Sequence, residues 1–283
     1  MRTRQEIKGL AKEAMYEQKR TAKLLVFLLI VLDWLLGLLN GVTLLALGWW
    51  AFGILLLVGL LLLGVLGVNA AGEFLKIFRR QPARVGAMFA GLELNVNFFR
   101  KLGGILWMSL WLFIWSLPWL IAFVLILAAA IRGRLASVDQ YYFLLVVTLP
   151  LLIPAVRKGY AYCMTFFILA DSPDVKAIEA LDISKCITNG HIGKLFVMSL
   201  SFWGWSILTA LPGNILNLIG DFLAGDGHVM LGAVLTNLGN LLTPILFALF
   251  LGPYMFSTFA GYYEELCDLA IAESKATGAG IED

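Results

Sequence analysis

The sequence predicts an all-α, polytopic membrane protein with about six transmembrane helices and two interfacial helical segments on the cytoplasmic side. Hydrophobic residues make up 60% of its 283 residues and charged residues only 14%, whereas a soluble globular domain is about a quarter charged. The apolar residues are concentrated in blocks long enough to cross a bilayer core, which takes about 20 residues of helix. A soluble helical bundle would need polar faces at helical spacing, and the run LLLVGLLLLGVLGV over 55–68 has none.

Six apolar blocks follow one another along the chain. Residues 24–68 are too long for a single span, and Asn40-Gly41 interrupts them, so we predict a tight hairpin of two helices with its turn there. Prolines such as Pro118 and Pro150 predict kinks, which neighbouring helices tolerate in a membrane. The predicted spans are 22–40, 44–68, 103–131, 141–170, 194–219 and 229–253.

The positions of the basic residues predict the orientation of the chain. Two long polar stretches, the first island (73–102) and the second island (171–193), interrupt the apolar blocks. All but two of the 21 Lys and Arg residues lie in these islands, beside them or near the chain ends, and the exceptions are Arg132 and Arg134. Under the positive-inside rule, both chain ends and both islands are predicted to be cytoplasmic, and the protein to lie in the cell membrane.

The predicted organisation has three parts: a cytoplasmic leader over 1–23, a transmembrane domain over 24–257 and a cytoplasmic tail over 258–283. The leader is basic, and one face of a helix formed by it would be apolar. We therefore predict an amphipathic helix at the membrane surface, and the alternative is a solvated basic segment. The residues on the apolar face are Ile7, Leu10, Ala11, Ala14 and Met15.

The two islands and the spans that follow them resemble each other. When the chain is shifted by 90 residues, nine identical residues align between 85–116 and 175–206 without a gap. The run MSL followed by WS occurs at the same spacing in both stretches. This pattern predicts a parallel internal repeat whose axis lies along the membrane normal. The alternative is convergence of two segments of similar apolar composition.

The second island carries signals for the two ends of a short helix. Asp171-Ser172-Pro173 offers a capping side chain and a proline for the first helical position. Asn189-Gly190 is typical of a helix C-terminus. We therefore predict a helix between these two groups of residues, lying against the membrane or the bundle.

Motifs in the second island and its flanks resemble one membrane protein family. The residues are Pro154, Lys158, Tyr160-Ala161-Tyr162, Ile168-Leu169-Ala170-Asp171-Ser172-Pro173, Ala177, Glu179-Ala180, Ile183-Ser184-Lys185, Gly190-His191, Lys194-Leu195-Phe196, Leu200-Ser201-Phe202-Trp203-Gly204-Trp205, Pro253-Tyr254 and Tyr263-Glu264-Glu265-Leu266. With them the chain resembles a bacterial membrane family known only as domain of unknown function 975, most specifically over 154–205. It departs from the family pattern at Ala155, where glycine is usual, and at Ser199, where an acidic residue is common. The resemblance implies an integral membrane protein without an established activity, and it carries over no catalytic or binding residues.

Asp33 is the strongest single candidate for a functional residue, because it lies near the middle of the first predicted span. A charge at that depth is costly and often functional. Arg157 and Lys158 could reach it from the fourth span, and our hypothesis is an ion pair between Asp33 and one of them. The alternative is that Asp33 lines a wet crevice while Arg157 and Lys158 extend to the inner headgroups.

Other polar residues form two further candidate groups. Asp171 lies in the second island and is the acidic candidate there. Asparagines lie one turn apart in each of the last two predicted spans. They could line a polar seam, or they could form hydrogen bonds that hold the two helices together. These asparagines are Asn214, Asn217, Asn237 and Asn240.

These observations favour a non-catalytic membrane scaffold or accessory component that docks partners or lipids through its islands. A transporter of a small solute, peptide or lipid is the first alternative, and an intramembrane enzyme the second. The two histidines and three cysteines show no metal-ligand or disulfide spacing, so we expect no catalytic residue, metal or cofactor. The expected partners are the lipid bilayer and either a cytoplasmic protein or anionic lipid, with no nucleic acid. The oligomeric state is left open.

Overall fold

The computed structural model describes residues 2–133 and 137–276, and the regular elements in these ranges are all helical. Six segments there are long and apolar enough to cross a membrane, which confirms the predicted fold class. Arg134, one of the two basic residues assigned to the opposite side, lies outside the described residues. The helices are α1 (Arg4–Glu17), α2 (Lys19–Leu47), α3 (Trp49–Phe78), α4 (Val85–Ala90), α5 (Val96–Ile131), α6 (Val138–Thr148), α7 (Ile153–Tyr162), α8 (Thr165–Asp171), α9 (Ala177–Thr188), α10 (Ile192–Gly225), α11 (Val229–Leu246) and α12 (Gly252–Ala276).

The turn of the first hairpin lies at Gly48 and not at Asn40-Gly41, so the predicted boundary is wrong. Helix α2 continues through Asn40, whose side chain is buried. Gly48 has a φ of 83°, a left-handed conformation that glycine adopts without steric cost, and its N–H donates to the carbonyl of Leu44. Inside a bilayer the backbone must satisfy its own hydrogen bonds, so the helix continues through an Asn-Gly pair.

Two prolines interrupt the fourth span. Between α6 and α7 the chain forms a 3-10 turn over Leu149–Leu152, which contains Pro150, and Pro154 lies in the first turn of α7. Both residues lack the N–H that an α-helix interior requires. In contrast, α5 passes through Pro118 as one continuous helix.

The best-packed part of the molecule is the end that carries the islands. Three hairpins, α2 with α3, α5 with α6–α8, and α10 with α11, meet there with α1 and α12. Residues such as Phe74, Leu169, Met198 and Leu266 form its buried core. Farther from the islands, most side chains of the spans face outward and are apolar, as expected of helices surrounded by lipid.

Helices α10 and α11 approach each other more closely than side chains would allow. A Cβ atom added to Gly213 would lie 2.5 Å from the carbonyl oxygen of Gly239, and one added to Gly220 would lie 2.7 Å from that of Gly232. Small residues at such crossings let two backbones pack directly in a membrane. The last hairpin is therefore held together along most of its length.

The helix of the second island begins later than predicted. Asp171 is the last residue of α8 and Ser172 follows as its C-terminal cap, while α9 begins at Ala177. Proline is common just after a helix because it cannot continue one, so Pro173 ends α8 instead of starting α9. The predicted stop is confirmed, since α9 ends at Thr188, directly before Asn189-Gly190.

The leader forms α1, and the apolar face of this helix is turned toward the protein. Ile7, Ala11 and Ala14 are buried, with α12 as the main neighbour of α1. The internal repeat stays a prediction. In both predicted copies a short helix precedes a long one, but α5 begins at residue 96, and its counterpart at 186 lies inside α9.

Candidate functional site

An ion-pair network joins three helices at the island end of the bundle. The Arg79 guanidinium, just after α3, donates two hydrogen bonds to the Asp171 carboxylate at 2.6 and 2.9 Å. Its Nε donates a third to Glu264 of α12 at 2.6 Å. The hydrogen bonds to Asp171 raise the pKa of Arg79 above its ordinary value. Two-point pairing of this kind fixes orientation as well as distance, so α3, α8 and α12 are held in one arrangement.

A second arginine ties α5 to the connection between α8 and α9. Arg100 donates to the backbone carbonyls of Leu169, Ser172 and Val175 at 2.6 to 3.1 Å. The last carbonyls of a helix have no partner within the helix, and a cation is favoured beside them. Arg100 therefore stabilises the end of α8 and orders the start of the second island.

A buried carboxylate organises the first island. Glu73 is buried, with only 4% of its surface exposed. It accepts a hydrogen bond from Lys76 Nζ at 2.6 Å and another from the backbone N–H of Arg84 at 2.8 Å. A buried charge needs such partners to offset its desolvation. Glu73 thereby links α3 to the start of α4.

Asn69, one helical turn before Glu73, holds the other end of α4. Its Nδ2 donates to the carbonyl of Met88 at 2.9 Å, and its Oδ1 accepts from Lys101 Nζ at 2.5 Å. A Cβ atom added to Gly91 would overlap the Asn69 amide. The close approach of Gly91 therefore lets the first island pack directly on this side chain.

These groups surround a polar cavity of about 360 Å³, which we call the island cavity. It opens between α3, α4, α5 and α8, at the end of the bundle where both islands lie. Lys101 has no carboxylate partner in the described part of the chain. Its ammonium donates to the Asn69 amide oxygen instead. Such a cavity is suited to hold a polar or charged group of a ligand or partner. The side chains that give it its charge and polarity are Asn69, Glu73, Lys76, Arg79, Lys101 and Asp171.

The family model described as "Protein of unknown function (DUF975)" matches residues 1–270. The chain belongs to this family. No curated protein and no solved structure matches the chain. In this DUF975 member the matched region includes every residue that lines the island cavity, together with the Arg79 network. Over its described residues, no group of three or more His, Cys, Asp or Glu side chains could hold a metal ion.

The expected pairing of Asp33 with Arg157 or Lys158 is wrong. No ion pair of Asp33 occurs in the described part of this DUF975 chain, and the Lys158 ammonium lies 5.0 Å from the centre of the Trp115 ring. The physical reason is topology: Asp33 lies in the first hairpin, whereas α7, which carries Arg157 and Lys158, packs against α5 and α9. Asp33 instead lines a cavity of about 150 Å³ between α2 and α3, together with Asn40.

Two of the four asparagines of the last two spans form a hydrogen bond between helices, and the other two do not. Asn217 Nδ2 of α10 donates to Asn240 Oδ1 of α11 at 3.0 Å, a hydrogen bond across the hairpin. Asn237 donates to the carbonyl of Ala233 in its own helix at 2.7 Å and is exposed. Asn214 is also exposed. A hydrogen bond between helices therefore accounts for Asn217 and Asn240.

Of the residues around the island cavity, only Asp171 was among the candidates from the sequence. In the sequence, Arg79 and Lys101 carry only an orientation signal and Glu264, outside the cavity, only a family motif, while Asn69 and Glu73 carry neither. One signal in the sequence indicates three of them together: Asn69, Glu73 and Lys76 are spaced by four and three residues. That spacing puts polar side chains on one face of a helix, directly after the predicted end of the second span.

Proposed function

We propose that this DUF975 protein is a non-catalytic membrane component that docks a cytoplasmic partner on the island end of its bundle. The observation that carries the proposal is the network in which Arg79 binds both Asp171 and Glu264. It joins the end of α3, the end of α8 and α12 around the island cavity. A docking surface needs polar groups held in a defined arrangement, because ordering them on binding would weaken the complex.

The orientation is part of the proposal: cell membrane, with both chain ends and both islands in the cytoplasm. The strong bias of Lys and Arg toward the islands and the leader supports it. The contacts among these segments support it as well. The backbone N–H of Arg2 donates to Glu265 of α12 at 2.5 Å, and the Gln18 side chain donates to the carbonyl of Gln81 in the first island at 2.6 Å.

The size and position of the cavities favour docking over transport. The island cavity, about 360 Å³, lies at the charged end of the bundle. The cavity beside Asp33 is smaller, about 150 Å³. Ligands and partners bind where shape and convergent polar groups coincide, and in this protein that place is the island end.

The cavity beside Asp33 still supports a second candidate, the transport of a small ion or solute. Asp33 is a carboxylate without a partner in the described residues, and the buried Asn40 Oδ1 accepts no hydrogen bond there. Ionisable groups inside a membrane mark many ion pathways. A dependence of ion uptake into proteoliposomes on Asp33 is the observation that would favour transport over docking.

Site-specific photocrosslinking in native membranes tests the docking proposal. A photoreactive residue in place of Gln81, which is exposed at the island cavity, should give a discrete crosslinked product. The same residue in place of Met230, 86% exposed at the opposite end of the bundle, is the control. Adding Lys101→Gln to the Gln81 variant should reduce the product, because it removes the one cation of the cavity without a carboxylate partner in the described residues. Equal products from the Gln81 and Met230 positions would refute docking at the islands.

A further inference from the structure

A line of cations on α1 faces α10. Arg4, Lys8 and Lys12 are spaced by four residues, so they lie along one side of the helix. Lys8 Nζ donates to Ser201 Oγ of α10 at 2.5 Å and lies 4.1 Å from the centre of the Phe202 ring. We call the space between this side of α1 and α10 the leader groove. It is separate from the island cavity.

The groove widens at both ends, on either side of Lys8. At the start of α1 a cavity of about 620 Å³ is lined by Arg2, Arg4, Gly193 and Lys194. Glu265 accepts a hydrogen bond from the backbone N–H of Arg2 and lies 3.7 Å from the Nε of the same residue. Arg4 has no such partner in the described residues. None of Arg4, Lys8 and Lys12 forms an ion pair in the described residues.

The second cavity, about 420 Å³, is mostly apolar. Lys12 lies at its edge, and its walls come from α10, from α12 and from the π-helical turn over Phe247–Leu251. These walls belong to segments that are long and apolar enough to span a membrane, whereas Lys12 belongs to α1, which is not one of them. The wall residues are Trp205, Thr209, Phe250, Leu251 and Tyr254.

We propose that the leader groove binds one anionic phospholipid, with its phosphate beside Arg4, Lys8 and Lys12 and an acyl chain in the apolar cavity. Cations next to an apolar cavity match the two parts of such a lipid, and no Asp or Glu is among the described residues that line either cavity. Basic clusters beside spans attract anionic headgroups. Free phosphate would account for the charge but not for the apolar walls.

The electrostatics of Lys8 agree with an anion in the groove. Burial, together with the nearby charge of Arg4, lowers the pKa of Lys8. Its charged form is therefore less favoured than that of a fully solvated lysine. A phosphate between Lys8 and Arg4 would offset both causes. The leader groove is a different surface from the island cavity, so lipid binding and partner docking can each fail without the other.

Native mass spectrometry of delipidated protein in mixed micelles of phosphatidylglycerol and phosphatidylcholine tests the inference. The wild-type chain should retain phosphatidylglycerol in preference. The triple variant Arg4→Gln, Lys8→Gln, Lys12→Gln should lose about 100-fold in affinity for it, as expected for three cations near a headgroup. The matched control Arg20→Gln, Arg84→Gln, Lys176→Gln removes the same charge elsewhere on the predicted cytoplasmic side. An unchanged triple variant, or an equal loss in the control, would overturn the site.

A second variant keeps the test decisive if the triple variant elutes as aggregate on size-exclusion chromatography. Thr209→Trp fills the apolar cavity and leaves every cation of α1 in place. It should weaken binding of full-length phosphatidylglycerol. Unchanged binding would refute the placement of an acyl chain in the apolar cavity. Excess inorganic phosphate should not displace the lipid from the wild-type chain. Displacement would assign the groove to free phosphate and overturn the proposal. Crosslinking from position 81 should be unaffected in both variants.

Discussion

Arg79 and Asp171 form a two-point ion pair although 92 residues separate them in the chain. Arg79 ends the first hairpin and Asp171 ends the second, so the pair fixes the relative position of two hairpins. Both residues also line the island cavity. The polar surface at this end of the bundle therefore depends on a contact between distant parts of the sequence.

Asp171→Asn should lower the stability of the protein in detergent. The change removes the charge that pairs with Arg79 and leaves Glu264 as the remaining carboxylate partner. The Arg79 and Asp171 side chains are 34% and 24% exposed, so screening reduces the effect. We expect a loss of about 1 to 2 kcal/mol, since hydrogen bonds to charged groups contribute about 1.5 to 3 kcal/mol when fully shielded. The apparent melting temperature should fall by about 2 to 6 °C.

Asp182→Asn is the matched control for this prediction. Asp182 also forms an ion pair, with Lys185 at 2.8 Å, but its side chain is 65% exposed and its partner lies one turn away in the same helix. Such pairs contribute little to stability. If Asp171→Asn lowers the melting temperature no more than Asp182→Asn does, then the Arg79 network does not hold the hairpins together.

Gly91→Ala should destabilise the first island. The added methyl group would overlap the Asn69 amide, which is held by Met88 and Lys101 and cannot move away without losing those hydrogen bonds. Overpacking of this kind costs about 1 to 3 kcal/mol. Gly86→Ala in α4 is the control, because nothing lies within 4 Å of an added Cβ there. Thermal unfolding of both variants should separate them, and equal melting temperatures would contradict the packing of Asn69 on Gly91.

The spans could be predicted because their signal is local. An apolar run of bilayer length is a helix wherever it packs, and the six expected blocks correspond to six helical segments. The turn near Asn40 could not be placed in this way. Within such a run the helix continues until a residue adopts a non-helical backbone conformation. Gly48 does so with its positive φ, which is known only from the folded chain.

The site was harder to predict because its partners are set by tertiary packing. Asn69 meets Lys101 across 32 residues and Arg79 meets Glu264 across 185. The sequence shows that these side chains are polar, but not which of them face each other. The expected partners of Asp33 were wrong for the same reason: a similar depth in the membrane does not show which hairpins pack against each other.

Asp33→Asn should leave yield and thermal stability in detergent unchanged or increase them. Asp33 has no ion pair in the described residues, and a carboxylate near the middle of a span is itself unfavourable by about 2.5 to 3.5 kcal/mol. Glu73→Gln makes the same charge change where the carboxylate is buried and has two donors. That variant should lose about 1 to 3 kcal/mol. A sharp loss of stability in Asp33→Asn alone would show that Asp33 has a partner after all.

Cysteine accessibility should reveal the orientation of the bundle. Cys186 is exposed on α9 in the second island. With Cys163→Ala and Cys267→Ala removing the other thiols, it should react with a membrane-impermeant maleimide only after the cytoplasmic face is opened, because the basic residues predict that the islands are inside. In a cysteine-free chain, Met230→Cys places an exposed thiol at the opposite end of the bundle and should react in intact cells. The reverse pattern would put the islands outside, and with them the proposed docking surface.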